Sequence, residues 1–399
     1  MTSDKKNVSL LVDIFIKKGL SDIIISPGSR NAPIVIAFAG KKQISARSII
    51  DERSAAFYAL GLAQQKKKAV ALACTSGTAL LNYAPAIAEA YYQKIPLLIL
   101  SADRPPELID QGDGQTIRQK DVYRNYIKKS FELPVVIDDP ATRQIAEQVV
   151  NTAIDQTLFP EPGPVHINIP FREPLYQTME KDIEGNVFST VKSSDELSDK
   201  EMIELAAEWN AHPKKLIIAG QMDHDPALNT RLAALAKLND VVILTETTSN
   251  LHDPNFIDTI DNVVSSFSEQ EEKAYKPDLL ISIGGQVVSK MVKKYLRLNP
   301  ARSHWHFSPS GEDTDTYFIL SRVLTARPSD FFKRLAPNIQ VGDEPYSSHW
   351  IKKRDQLVTL RDDYLSKLPF SDFKVFRTSF HSSRSFSRQD IPGKRIRSR

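Results

Sequence analysis

Short apolar runs of strand length alternate with helix-length segments along most of this chain, and this alternation constrains its fold most strongly. The strand-like runs of the first half occupy residues 22–26, 44–50, 69–74, 96–101, 133–136 and 165–169. The helical patterns between them cover residues 8–18, 32–39, 55–64, 78–92 and 142–157. Nearly continuous apolar strands separated by helices predict a mainly parallel sheet with helices on both faces. The first half is therefore predicted to be a three-layer α/β/α domain.

The alternation stops in a polar, acid-rich stretch at residues 177–199, which is typical of an interdomain linker, and then begins again. The later strand-like runs occupy residues 215–219, 241–245, 279–283 and 304–307, and the helical patterns cover residues 202–209, 226–238, 288–298 and 350–368. We predict the α/β class with two three-layer α/β/α domains, at residues 1–184 and 185–368.

The composition changes at the carboxyl end. Residues 377–399 contain seven Lys or Arg and one Asp, whereas the rest of the chain has 45 basic and 48 acidic residues. The net charge of +3 therefore comes from this end. Residues 369–399 form a Ser/Arg-rich tail. We expect it to be disordered or the product of a frameshift, and we expect no nucleic-acid partner.

Cysteine content and the absence of long apolar runs predict the compartment. Cys74 is the single cysteine, which excludes an internal disulfide and fits a reducing environment. The first residues lack the apolar core of a signal peptide, and no run approaches the roughly 20 apolar residues of a membrane span. We expect a cytoplasmic protein that does not insert into membranes.

Polar and charged residues follow four of the predicted strands of the first half. These segments are Ser-Pro-Gly-Ser-Arg at 26–30, Asp-Glu-Arg at 51–53, Thr-Ser-Gly-Thr at 75–78 and Asp-Arg-Pro-Pro at 103–106. Ligands of α/β sheets bind beyond the carboxyl ends of the strands. The guanidinium groups of Arg30 and Arg104 suit carboxylates or phosphates, and a partly buried Glu52 would suit proton exchange.

Each of these segments also has a purely structural interpretation. The turn at 75–78 could be a capped entry to a helix, and taken alone this interpretation is favoured. Arg104 could form a surface ion pair, and Asp51 and Glu52 could simply begin a helix, because acids favour that end of the macrodipole. The convergence of four strand ends favours a site instead.

The Gly-Asp-Gly-Gln segment at 112–115 does not have the spacing of a phosphate-binding loop. It is interpreted as a loop that positions Gln115, with Arg118 nearby. The His residues are scattered without metal-ligand spacing, so no metal-binding residues are predicted.

The four segments, in this order and followed by Gln-Thr-Ile-Arg-Gln at 115–119, resemble the amino-terminal domain of the MenD family. Its members are 2-succinyl-5-enolpyruvyl-6-hydroxy-3-cyclohexene-1-carboxylate synthases, thiamine diphosphate enzymes of menaquinone biosynthesis. The resemblance implies a pyrimidine-binding first domain, a Rossmann-like central domain and transferase activity. It implies decarboxylation of 2-oxoglutarate and addition of the succinyl unit to isochorismate, with thiamine diphosphate and Mg²⁺ or Mn²⁺ as cofactors, in a homodimer or homotetramer.

The resemblance also assigns roles to residues. Glu52 matches the catalytic glutamate that hydrogen-bonds the aminopyrimidine ring, and Gly77 and Thr78 match cofactor-binding positions. The positions that match substrate-binding residues are Ser29, Arg30, Arg104, Gln115, Arg118 and Lys290. Met291 follows Lys290 where many members carry Arg.

The family's third domain, which binds the diphosphate through the metal, is expected to be absent from this sequence. One alternative is therefore an inactive fragment or a dimerising module. Another thiamine-dependent decarboxylase with a hydrophobic substrate is disfavoured by the arginines, and a nucleotide-binding regulator lacks a complete glycine fingerprint.

Overall fold

A computed structural model of the chain describes residues 1–188 and 197–375 and divides it into two compact units, Met1–Asp195 and Glu196–Arg399. The strands of the first unit are β1 Thr2–Ser3, β2 Asp22–Ile25, β3 Ser45–Ser48, β4 Val70–Cys74, β5 Leu97–Asp103, β6 Lys129–Glu132, β7 Val165–Pro170 and β8 Thr178–Met179. Its helices are α1 Lys6–Lys17, α2 Ala32–Ala39, α3 Glu52–Lys66, α4 Ala84–Tyr92 and α5 Pro140–Leu158.

Six strands of the first unit form a parallel sheet in the order β3-β2-β4-β5-β7-β6. Successive side chains of a strand point to opposite faces, so the buried strands contribute to two separate cores. On one face Ile23 and Ile25 pack with residues of α1, α2 and α5, and on the other face Ile24 packs with residues of α3 and α4. The predicted three-layer α/β/α architecture is confirmed here.

Two elements of this unit differ from their predictions. The predicted strand at 133–136 is wrong, because β6 lies four residues earlier, at Lys129–Glu132. As an edge strand paired only with β7, β6 tolerates polar residues, whereas Pro134 in the apolar run cannot donate a ladder hydrogen bond. The predicted helix at 78–92 is a 3₁₀ helix over Gly77–Tyr83 followed by α4. Pro85, which has no N–H, interrupts the helical hydrogen bonding between them.

The polar stretch predicted as a linker remains packed on the first unit as far as residue 188. The Gly185 N–H donates to Asp13 Oδ2 (2.7 Å), and the Phe188 N–H donates to Asn151 Oδ1 (3.2 Å). The division between the units therefore lies about ten residues after the predicted one. Residues 189–196 and 376–399, which include most of the predicted tail, lie outside the described residues.

The second unit is again α/β. Its strands are β9 Lys215–Ala219, β10 Val241–Thr245, β11 Leu279–Ile283, β12 Ser303–Phe307 and β13 Arg322–Leu324. Its helices are α6 Asp199–Ala211, α7 Pro226–Leu235, α8 Ile260–Ser265, α9 Glu269–Ala274, α10 Lys290–Leu298, α11 Pro328–Leu335 and α12 Tyr346–Lys367. The strands form a parallel sheet in the order β10-β9-β11-β12-β13, with a hydrophobic core on each face. Four short elements, β13, α8, α9 and α11, were not predicted.

A membrane-spanning helix would need a long apolar segment. Within the two described ranges, no helix combines the necessary length and apolar character.

Candidate active site

The carboxyl ends of β3, β2, β4 and β5 carry the predicted site residues of the first unit, and these strands are consecutive in its sheet. The chain runs from β2 to β3 on one side and then returns to β4 on the other side of β2. This reversal of strand order is the position where open α/β sheets bind ligands. The segments at 26–30, 51–53, 75–78 and 103–106 therefore follow neighbouring strands at one edge.

The turn after β2 is held by Asn31. Its Oδ1 accepts a hydrogen bond from the Gly28 N–H (2.8 Å), and its Nδ2 donates to the Ser26 carbonyl (2.9 Å). A Cβ on Gly28 would lie 2.5 Å from Thr75 Cβ, so the turns after β2 and β4 approach each other closely only because residue 28 is glycine. Ser29 lies exposed at the tip of this turn.

Arg30 follows the same turn, and its side chain is buried. Its Nη1 donates to the Phe171 carbonyl (3.2 Å), and its Nη2 lies 3.0 Å from Glu173 Oε1. Among the described residues, the buried Nε has no hydrogen-bond partner. A buried donor without an acceptor is costly, so this guanidinium retains the capacity to bind an anion.

Glu52 is the first residue of α3 and is half-buried. The preceding residue, Asp51, caps the helix, because its Oδ1 accepts from the Ser54 N–H (2.9 Å). Burial raises the pKa of the Cys74 thiol, and the negative charge of Glu52 raises it further. The charge of Glu52 therefore influences Cys74 at the carboxyl end of β4, while Asp51 accepts the hydrogen bond that caps α3.

The Gly77 turn after β4 packs against the backbone of Gln115. Gly77 has a left-handed φ of +82°, and a Cβ there would lie 3.0 Å from the Gln115 carbonyl oxygen. The predicted cofactor turn and the predicted substrate loop are thus in direct backbone contact. The side chains of Thr78 and Gln115 lie exposed.

Arg104 follows β5 and holds the loop at 112–115. Its Nη2 donates to the Gly114 carbonyl (2.8 Å), and its Nε lies 2.8 Å from Asp113 Oδ2. Arg118 is largely exposed and pairs with Asp110 (2.7 Å). Lys290, in the second unit, is exposed at the first position of α10. The predicted residues Ser29, Arg30, Glu52, Gly77, Thr78 and Arg104 therefore follow neighbouring strands of the first sheet, with Gln115 in backbone contact with Gly77. Arg118 pairs with Asp110, and Lys290 lies in the second unit.

A buried polar network beneath this edge was not predicted. The Gln119 Nε2 donates to Asn168 Oδ1 (2.9 Å), and the Asn168 Nδ2 donates to Asp103 Oδ2 (2.8 Å). Ser101 Oγ donates to Asn168 Oδ1 (2.9 Å) and contacts His166 Nε2 (2.7 Å). Burial raises the pKa of Asp103 to about 6 and lowers that of His166 to about 3. The sequence signal for this network was the presence of polar residues within apolar strands, because a buried polar group requires hydrogen-bond partners.

A half-buried carboxylate at residue 52 and a close-packed glycine turn after β4 would suit the aminopyrimidine half of thiamine diphosphate. The diphosphate half requires a divalent cation and oxygen ligands. Within residues 1–188 and 197–375, no group of three or more His, Cys, Asp or Glu side chains is placed to hold a metal ion.

The fold and this site define the class of protein. Residues 6–122 match the family model of the thiamine pyrophosphate enzyme N-terminal TPP binding domain. A Flavobacterium johnsoniae protein is 42% identical over 377 residues, which are 93% of this chain and 66% of that protein. A Christiangramia forsetii protein is 41% identical over 92% of this chain and 67% of its own length. A Porphyromonas gingivalis protein is 36% identical over 94% and 66%.

All three relatives are named 2-succinyl-5-enolpyruvyl-6-hydroxy-3-cyclohexene-1-carboxylate synthase. The chain belongs to this family, and the resemblance found in its motifs is confirmed. It spans about two thirds of the length of these relatives.

Proposed function

We propose that this chain takes part in thiamine diphosphate-dependent synthesis of 2-succinyl-5-enolpyruvyl-6-hydroxy-3-cyclohexene-1-carboxylate, in the formation of menaquinone. The reaction decarboxylates 2-oxoglutarate and joins the succinyl unit to isochorismate. The observation that supports this most strongly, in a chain of this family, is the half-buried Glu52, whose charge acts on Cys74 at the end of β4, three residues before Gly77 in its close-packed turn. When bound, thiamine diphosphate supplies the stabilisation of negative charge on carbon that the amino acids lack.

Glu52 would hold the aminopyrimidine ring through its carboxylate and exchange a proton with it. Because Asp51 already caps α3, Glu52 is available for this role. The Gly77 N–H donates to Gln119 Oε1 (2.8 Å), so it is not available to a ligand. Gly77 would therefore contribute its compact backbone, and Thr78 its exposed side chain, to the cofactor pocket.

The substrates are polyanions, and the cations of the site would orient them. Among the described residues, the buried Nε of Arg30 and that of Arg104 both lack a hydrogen-bond partner, although Arg104 forms an ion pair with Asp113. A substrate carboxylate at Arg104 would replace Asp113, so acid recognition there is an exchange of one carboxylate for another. Ser29, Gln115, Arg118 and Lys290 would provide further polar contacts.

The remaining assignments complete the proposal. Mg²⁺ or Mn²⁺ would neutralise the diphosphate, and the protein would act in the cytoplasm. Exposed apolar side chains on α3, on the 3₁₀ helix and on α4 favour association of copies into a homodimer or homotetramer. They are Phe57, Leu81 and Tyr92, which are 49%, 43% and 57% exposed.

The test is product formation from isochorismate and 2-oxoglutarate with thiamine diphosphate and Mg²⁺, followed by mass spectrometry. The chain is assayed alone and fused to the part of the Flavobacterium johnsoniae relative that it does not cover, with that relative as positive control. We expect product from the fusion, and no product from it would contradict the proposal. Product from the chain alone would exclude the inactive-fragment alternative, and a preference for pyruvate would favour another decarboxylase.

Glu52→Gln should lower the rate of the active form by at least about 100-fold, because it removes proton exchange but keeps the shape. The matched control is Glu89→Gln, which changes an exposed glutamate on α4. Equal rates for the two variants would exclude the role proposed for Glu52.

A further inference from the structure

Gln119 is a fully buried amide at the point where three segments of the first unit meet. Its Oε1 accepts a hydrogen bond from the Gly77 N–H (2.8 Å) in the turn after β4. Its Nε2 donates to the Ala102 carbonyl on β5 (3.0 Å) and to Asn168 Oδ1 on β7 (2.9 Å). One side chain thus satisfies a donor from one segment and acceptors from two others.

The orientation of this amide is determined by its partners. A flipped amide would direct its NH₂ at the Gly77 N–H and its oxygen at two acceptors, so only one orientation satisfies all three groups. Asn168 is oriented in the same way, because its Nδ2 donates to Asp103 Oδ2 (2.8 Å). The other Asp103 oxygen accepts from the Arg104 backbone N–H (2.7 Å). A continuous chain of hydrogen bonds therefore joins the Gly77 turn to the backbone of Arg104.

We propose that Gln119 is a positioning residue that holds the Gly77 turn and the Gln115 loop in the register required by the active site; this inference rests on the proposed function. A Cβ at Gly77 would lie 3.0 Å from the Gln115 carbonyl oxygen, so the two segments pack closely, backbone against backbone. Gln119 lies four residues after Gln115, and its hydrogen bonds hold the end of that loop. The three hydrogen bonds of its amide all go to protein groups, so its effect on the reaction is through position.

The matched control is Asn151, another fully buried amide of the first unit. Its Nδ2 donates to the carbonyls of Glu147 (2.8 Å) and Asn186 (2.9 Å), and its Oδ1 accepts from the Phe188 N–H (3.2 Å). It therefore makes the same number of hydrogen bonds as Gln119, but to α5 and the segment that follows β8. Gln119→Met and Asn151→Leu replace the two amides with apolar side chains of similar length.

The first readout is hydrogen exchange at the Gly77 amide in the chain without cofactor. Gln119→Met should accelerate this exchange by about 10-fold or more, because the amide loses its acceptor, whereas Asn151→Leu should leave it unchanged. The second readout is kinetic and uses whichever form, chain or fusion, makes product in the assay described above. Gln119→Met should lower kcat/KM by about 10- to 100-fold, as expected for a small misplacement of site residues, and Asn151→Leu should not.

Gln119→Glu provides a conservative variant that keeps an acceptor for Gly77. The second oxygen of the glutamate can donate to the Ala102 carbonyl only when it is protonated. As the pH is lowered from about 8 to about 5, the protection of the Gly77 amide in this variant, relative to wild type, should therefore increase. This variant also decides the matter if Gln119→Met does not fold.

Unchanged Gly77 exchange in both Gln119 variants would overturn the inference. Faster exchange with kcat and KM equal to those of Asn151→Leu would also overturn it, because Gln119 would then have only a structural role. Failure of the wild-type fusion to form product would instead contradict the proposed function, while the exchange result would still report on the hydrogen bond itself.

Discussion

Substitution of Gly28 by alanine tests the close approach of the turns after β2 and β4. A Cβ at residue 28 would lie 2.5, 2.8 and 2.9 Å from Thr75 Cβ, Cγ2 and Oγ1. Carbon atoms pack at about 3.5 Å or more, so the two turns must separate by roughly 1 Å. Gly28 does not have a positive φ, so alanine is acceptable to the backbone and the effect is steric.

We expect Gly28→Ala to lower the free energy of unfolding of the first unit by about 1–3 kcal/mol, the usual cost of overpacking. It should also lower kcat/KM of the active form by up to about 100-fold, because a displacement of about 1 Å affects catalysis strongly. Unfolding in denaturant is followed by far-ultraviolet circular dichroism. Trp209, Trp305 and Trp350, the three tryptophans, all lie in the second unit, so their fluorescence reports that unit separately.

The control is Gly61→Ala in α3, where no atom lies within 4 Å of the added Cβ. Alanine is the better helix former, so this variant should be more stable by about 0.5–1 kcal/mol. In the double variant Gly28→Ala, Thr75→Gly the clash is removed, and the two effects should not add. If Gly28→Ala were as stable as wild type, or the double variant showed simple additivity, the steric argument would be refuted.

Two further predictions concern buried charge. Lys215 and Asp240 form an ion pair, and their side chains are 2% and 1% exposed. Lys215→Met should destabilise the second unit by about 3–5 kcal/mol, because it leaves an uncompensated buried carboxylate. Tryptophan fluorescence in denaturant measures this loss, and full recovery of stability is expected only if Asp240 is also replaced by an apolar residue. His166 is buried in its neutral form, and its pKa is lowered from the ordinary 6.5 to about 3. Its contribution to stability is therefore present above pH 6.5 and is lost as the pH falls toward 3. The total loss is about 5 kcal/mol. Asp103 has the opposite sign, because its pKa is raised from 3.8 to about 6, and its contribution, about 3 kcal/mol, is lost as the pH rises through 6. Between pH 4 and 6 the two oppose each other, and His166→Gln should leave a first unit whose stability falls with rising pH; a rising stability in that variant would contradict the assignment.

Much of the fold was predictable because its strands are buried on both faces and its helices lie between them. The apolar runs at β2, β4, β9, β10 and β11 stand out from polar flanks, and the structure contains strands at all five. The edge strand β6 was not predictable, because one side of an edge strand faces away from the sheet and an apolar signal is not required there. The 3₁₀ helix at Gly77–Tyr83 was also missed, since its pattern resembles that of a longer helix.

The candidate site was predictable only as a set of strand ends. The segments that carry Arg30, Glu52, Gly77 and Arg104 follow strands, and local patterns are sufficient to show this. The network of Gln119 was not predictable, because its partners come from residues 77, 102 and 168. Their proximity depends on the pairing of β5 with β7.

The amino-acid sequence by itself determined the alternation of strands and helices, the chemistry placed after each strand and the family resemblance. These features depend on periodicity and on short motifs, which are formed by residues close together in the chain. Only the tertiary structure decided which strand ends are adjacent, that Asp51 caps α3 beside Glu52, and that Arg104 is paired with Asp113. Sheet order and burial arise from contacts between residues far apart in the chain, and these contacts decide which charges are already satisfied and which can bind a ligand.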